Sequence, residues 1–162
     1  MSIAWRDAMS VGDAAIDADH RHLIELINSF EAAVTAEIDH KRVARVLLAL
    51  MDYTAEHFAR EEALQKEVRY PYADCHRRAH RDLLTRLTGI VQAYGAQAPG
   101  PARDHILRGL SDFLKEWLVS HVIESDLGMK PHVITLRRHQ AENERRTREA
   151  IALSERMAGI ER

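Results

Sequence analysis

Apolar residues return every three or four positions along most of the chain, the period of an amphipathic helix. A first row runs Leu23, Ile27, Phe30, Val34, Ile38, on a helix that Asp17 or Asp19 is placed to cap. A second row, Val43, Val46, Leu47, Leu50, Tyr53, predicts a helix over about 40–68. Leu83, Leu84, Leu87 and Ile90 predict a third over about 72–94, and Ile106, Leu110, Phe113, Leu114 and Trp117 a fourth over about 103–124. The breaks carry their own signals. Pro71 disfavours helix at Tyr70. YGAQAPGPAR (94–103) is rich in Gly and Pro, and Gly128 and Pro131 mark another stop. Residues 1–16 read as an extended arm with Trp5 as its anchor. Four helices of this length with short connections predict an all-α, up-down-up-down four-helix bundle.

A fifth helix, over about 132–160, has a different pattern. Its stretch LRRHQAENERRTRE (136–149) holds almost no apolar residue, so its middle cannot join a core. Apolar residues resume at Ile151, Leu153, Met157 and Ile160, an adherent end suited to self-association or a protein partner. The expected division is a bundle over 1–130 and an appended C-terminal helical extension over 131–162.

Composition narrows the functional classes. A chain of 162 residues can bury a core of its own. With 23 basic and 25 acidic residues it lacks the basic excess of a nucleic-acid binder. Cys75 is the single cysteine, which excludes an intramolecular disulfide and fits a reducing compartment. No apolar run approaches the roughly 18 residues that cross a bilayer. The first residues carry acids where a secretory leader has an apolar stretch. A cytoplasmic protein with no membrane or nucleic-acid partner is expected. Ten histidines are many for this length, and their positions say why.

His57 continues the inward row of the second helix and is followed one turn later by Glu61. His76 and His80 lead into the third row, His121 ends the fourth, and His20 opens the first. Residues four apart on a helix lie about 40° apart in angle and about 6 Å apart in height. In an up-down bundle the start of the first and third helices and the end of the second and fourth share one end. Five imidazoles therefore converge there, beside Glu61. Asp126, five residues after His121 at a frayed helix end, adds a second carboxylate. These groups cannot all satisfy one another, and an unpaired buried carboxylate costs several kcal/mol. A metal site resolves this. Seven ligands exceed what one tetrahedral zinc takes. They suit two octahedral ions sharing bridging carboxylates, with one position left open. Imidazole-rich sites suit iron, although ligand type leaves copper, nickel and zinc open. A donor set richer in neutral imidazole than in carboxylate favours reversible oxygen binding over oxygen activation. His22, His40, His105, His132 and His139 fall off the inward rows and read as surface residues. Cys75 reads as a spectator, and Tyr70 and Tyr72 as packing of the turn at Pro71.

IDADHRHLIELIN (16–28), DYTAEHFAREE (52–62), YPYADCHRRAH (70–80) and FLKEWLVSHVIESD (113–126) together form H…HxxxE…HxxxH…HxxxxD. This combination is specific, and the stretches span nearly all of residues 5–126. The chain resembles the hemerythrin family in its bacterial branch. The resemblance implies an oxo- or hydroxo-bridged pair of irons with dioxygen as ligand. It assigns His76, His80 and His121 to one iron, His20 and His57 to the other, and Glu61 and Asp126 to both as bridges. It makes Leu23, Phe58, Trp117 and Leu118 the apolar wall of the oxygen pocket. One position departs: many bacterial members carry a methionine four residues after the bridging glutamate, and this chain has Gln65. Its amide either reaches the pocket mouth and admits or orders water, or is a partly exposed group at a helix end.

Three roles follow from such a site. The first is an oxygen carrier or store, binding without net chemistry. The second is an oxygen or redox sensor reporting through the C-terminal helix to a separate signalling partner. The third is peroxide or nitric oxide turnover, which the lack of an evident general acid or base beside the open position disfavours, so an enzyme is not expected.

Overall fold

The computed structural model describes residues 2–35 and 38–160, with the side chains of the last two excepted. The apolar end predicted at Ile160 therefore lies outside the described side chains. Among the described residues every regular element is helical. α1 spans Ala14–Thr35, α2 His40–Glu67, α3 Ala73–Ala96, α4 Pro101–Ser120 and α5 Lys130–Ile160. α1 and α3 each pack on α2 and α4, the arrangement of an antiparallel four-helix bundle. The predicted rows face inward, with Phe30, Leu50, Leu87, Leu110 and Leu114 fully buried. In α4 the deepest early position is Leu107, and Ile106 beside it is half-buried.

α1 begins earlier than its sequence suggests. Asp13, not Asp17 or Asp19, is the cap: its Oδ1 accepts from the amides of Ala15 at 3.0 Å and Ile16 at 3.2 Å. Asp17 and Asp19 lie inside the helix, where no unpaired amide needs them, and both turn outward to other segments. Asp17 accepts from the Ser10 hydroxyl at 2.6 Å and the Val11 amide at 2.9 Å, fastening the arm. The arm is also less extended than expected, with a 3-10 turn at Asp7–Met9. Ile3 pairs with the Asn28 side chain through both amide and carbonyl, each at 2.8 Å. Trp5 is half-buried against the core with the Arg21 guanidinium 4.3 Å from its ring centre. At the next junction Asp39 caps α2, accepting from Lys41 at 2.9 Å and Arg42 at 3.1 Å.

Gly128 and Pro131 do not stop the chain as expected. α4 widens into a π turn at His121–Ser125, tightens into a 3-10 turn at Asp126–Met129, and continues directly as α5 from Lys130. Pro131 falls in the first turn of α5, where a missing N–H is tolerated. Gly128 leaves room for Tyr70, because a Cβ there would stand 2.5 Å from the Tyr70 hydroxyl. The first turns of α5 bind to the bundle. Val133 is buried with Val11, Ile16, Leu64 and Met129 in a second apolar cluster. Gly12 turns the arm beneath them at φ 85°, a left-handed conformation that glycine adopts without strain. Arg137 pairs with Asp13, and the Gln140 amide donates to Glu67 at 3.0 Å. Beyond residue 142 the described side chains of α5 are exposed, Ile151, Leu153 and Met157 among them.

Asp13 thus caps α1 and anchors α5 at once. Burial pushes its carboxyl up, but the Arg137 guanidinium and the Ile16 and Ala15 amides outweigh that and hold it below its ordinary 3.8. A lowered folded pKa adds stability that is complete above the ordinary value and is lost as pH falls through the folded one. Asp13→Ala is expected to cost about 1–2 kcal/mol at neutral pH. In urea unfolding its gap from the unsubstituted chain should narrow progressively below about pH 4.

Candidate metal centre

The start of α1, the end of α2, the start of α3 and the π turn after α4 meet at one end of the bundle. There His20, His57, Glu61, His76, His80, His121 and Asp126 are all buried. Glu61, His76, His80 and His121 offer ligand atoms within 4.8 Å of one another, and so do His20, Glu61 and Asp126. The two groups share Glu61. Asp126 spans them: one oxygen is 3.2 Å from His20 Nε2, the other 3.2 Å from His76 and 3.1 Å from His121. Glu61 Oε2 stands 3.2 Å from His80, 3.4 Å from His76 and 4.0 Å from His57. His57 is the outlying member, edge-on to the His20 ring at 4.9 Å.

Asp126 arrives by a route that the sequence did not show. Five residues on an α-helix turn through about 140°, which would aim Asp126 away from His121. The π turn widens the helix at this point, and the chain remains helical where a frayed end was expected. Single π turns recur at functional sites for this reason.

The polar atoms do not satisfy one another. Both nitrogens of His20, both oxygens of Glu61 and of Asp126, and Nε2 of His76 are buried without an aligned hydrogen bond, despite their short separations. Their lone pairs face a common space. A cation placed there would satisfy them, and mixed imidazole and carboxylate donors suit a transition metal. Without one, burial drives His121 down to about 4 against the Asp126 and Glu61 charges, and it also lowers His57. Those are neutral imidazoles, the form that ligates. Burial also opposes charge on His76, but the close approach and charge of the Asp126 and Glu61 carboxylates raise it to about 9. Burial pushes the Glu61 carboxyl up, and the surrounding histidines hold it well below its ordinary range.

A second layer fixes the rings. His80 Nδ1 lies 3.0 Å from Glu62, itself paired with Arg77 at 3.3 Å. A proton on that nitrogen leaves Nε2 bare toward the centre. His57 Nδ1 lies 3.4 Å from Asp19, which Arg60 holds at 2.7 and 3.1 Å and the Tyr53 hydroxyl at 2.7 Å. The sequence offers Asp19 only as a helix cap, and Glu62 not at all. Each adjoins a candidate ligand, but its partner sits on another helix, and periodicity carries no such pairing.

Phe58 lies flat on the His80 ring, centres 3.6 Å apart, and Trp117 stacks on His121 at 4.7 Å. Phe58 meets Trp117 edge-on at 5.8 Å. Leu23 and Leu118 are buried in the same apolar cluster. Gln65 is not the partly exposed residue of the plainer reading: it is 1% exposed, and both amide atoms lack a partner. Tyr70 packs the turn against Tyr72 at 5.7 Å and also faces His76 at 6.5 Å and His132 at 5.5 Å. His22, His105, His139 and Cys75 are exposed. His40 and His132 are half-buried. Tyr94 draws His40 inward, its hydroxyl 2.9 Å from Nδ1.

A helical bundle with a buried histidine and carboxylate cluster at one end defines a class of metal-binding proteins. A family model described as the hemerythrin HHE cation binding domain matches residues 11–133. A bacteriohemerythrin of Stenotrophomonas maltophilia is 31% identical over 124 residues, 76% of each chain. One from Pseudomonas aeruginosa is 31% identical over 126 residues, 78% of each chain. A solved wild-type hemerythrin superposes with a TM-score of 0.69 at 21% identity, covering 81% of this chain and 97% of that one. The chain belongs to the hemerythrin family.

The Asp19 network has a spectroscopic consequence that needs no metal. Burial first, then the hydrogen bond to Asp19, pushes the Tyr53 phenol from 10.0 to about 12. A raised phenol pKa adds stability that is complete below the ordinary value and is lost as pH climbs through the folded one. Titration of tyrosinate absorbance should show a late-ionising phenol, and Asp19→Asn should return it toward 10.0.

Proposed function

We propose that this protein binds dioxygen reversibly at a pair of irons, as an oxygen carrier or store in the cytoplasm. The observation that carries this reading is the buried layer of seven side chains in which polar atoms of His20, Glu61, His76 and Asp126 lack a hydrogen-bond partner. His76, His80 and His121 would hold one iron and His20 and His57 the other, with Glu61 and Asp126 serving both. A bound iron pair would supply the electrons that dioxygen binding requires. Everything else is done by the chain. Glu62 and Asp19 keep His80 and His57 turned inward. Leu23, Phe58, Trp117 and Leu118 form a wall without titratable groups, which keeps water and protons from a bound ligand. That wall offers no acid or base for turnover, which favours binding over catalysis.

A second reading has its own support. Asp126 passes without a loop into α5, whose far half is exposed and ends in Ile151, Leu153 and Met157. In this reading residues 1–130 form the sensing bundle, and the extension over 131–162 carries its state to a protein partner or a second copy.

The test is an oxygen cycle on reduced, iron-loaded protein, followed by its visible spectrum under argon, air and argon again. About two irons per chain are expected, with a charge-transfer band that appears in air and disappears under argon. A band that decays at once points to redox sensing or catalysis, and a chain that takes up no iron overturns the reading. The two roles separate on removal of residues 142–162, which leaves Val133, Arg137 and Gln140 in place. Oxygen binding should survive that cut under both readings, and a partner interaction should be lost only under the second.

A further inference from the structure

Gln65 sits where an apolar residue would cost less. It follows His57 and Glu61 on one face of α2, at intervals of one turn, and is the chain neighbour of Leu64, which belongs to the apolar cluster with Val11, Ile16, Met129 and Val133. It is 1% exposed, and neither its amide oxygen nor its amide nitrogen has a hydrogen-bond partner among the described residues. Leaving such an amide unpaired costs on the order of a few kcal/mol. One turn away, both Glu61 oxygens are equally unpaired, as are both oxygens of Asp126. Glu61 reaches toward His76 and His80, at 3.4 and 3.2 Å, and makes no direct bond to Gln65.

We propose that Gln65 holds a buried water molecule against the Glu61 and Asp126 carboxylates and so positions them for metal. The inference rests on the reading of those two residues as ligands. A buried water needs two to four polar partners, and an amide offers both a donor and an acceptor. Each carboxylate oxygen has two lone pairs, so one directed at a cation leaves another for the water. The end of α2 is held for this purpose. The Tyr70 amide donates to the Gln65 carbonyl at 2.8 Å, and the Tyr70 ring is wedged between His76 and the bare face of Gly128. The centre then has a dry side, where Phe58 and Trp117 cover His80 and His121, and a hydrated floor one turn further along α2.

Gln65→Met tests this, since methionine keeps the volume and removes the hydrogen bonding. Cobalt(II) affinity is measured by titration of the metal-free chain, and stability by its thermal unfolding. The expected result is a cobalt affinity about 10–100-fold weaker with an unchanged or higher melting temperature in the metal-free chain. An affinity within about threefold of the unsubstituted chain overturns the proposal, whatever the melting temperature does. If the variant loses helical content, the second check is a crystal of the cobalt-loaded natural sequence. Water within hydrogen-bond distance of the Gln65 amide supports the proposal, and a dry amide overturns it. Uptake of cobalt by the unsubstituted chain separates this failure from that of the metal-centre reading, and absence of uptake overturns both.

Discussion

Two carboxylates and five imidazoles are held in a layer buried from bulk solvent, and that constraint organises the rest of the molecule. Burying unpaired polar atoms opposes folding, so stability must come from elsewhere. It comes from the other part of the bundle, where Phe30, Leu50, Leu87, Leu107 and Leu110 fill the space between the helices. The two regions have opposite character. One is a dry apolar core that holds the helices in register. The other is a polar layer able to hold a cation. Binding to the folded state alone stabilises it by mass action, so occupancy of the centre and the integrity of that end are coupled.

The polar layer is kept in order by neighbours that do not face its centre. Asp19 ties His57 to Arg60 and Tyr53, and Glu62 ties His80 to Arg77. Aromatic faces cover two more sides, Phe58 on His80 and Trp117 on His121. The rings are therefore fixed by hydrogen bonds on one edge and by stacking on a face. Such a cluster can remain open to a metal without collapsing into its own ion pairs.

Much of this was legible in the chain alone. The bundle follows from four apolar rows, and the histidines extend those rows, so their convergence follows from topology. What escaped depends on contacts between segments. Asp17 and Asp19 look like caps by residue type, but Asp13 occupies the turn where unpaired amides need one. The π turn has no composition of its own; it is visible only because Asp126 reaches the centre from a position that a regular helix would turn away. Gly128 and Pro131 look like a stop, yet one admits Tyr70 and the other fits a first helical turn. Gln65 reads as a helix-end residue until Met129 and, beyond the expected boundary, Val133 pack with Leu64 at that end.

The absence of a loop between Asp126 and α5 makes the last helix a lever. α5 has 31 residues, a length of about 46 Å at 1.5 Å per residue. Its fulcrum lies at Val133, and the Arg137 pair with Asp13 steadies the base. A tilt of about 3° at that base carries the far tip through roughly 2–3 Å over this length. Any tilt at the base of α5 is therefore largest at its exposed end, where Leu153 and Met157 lie.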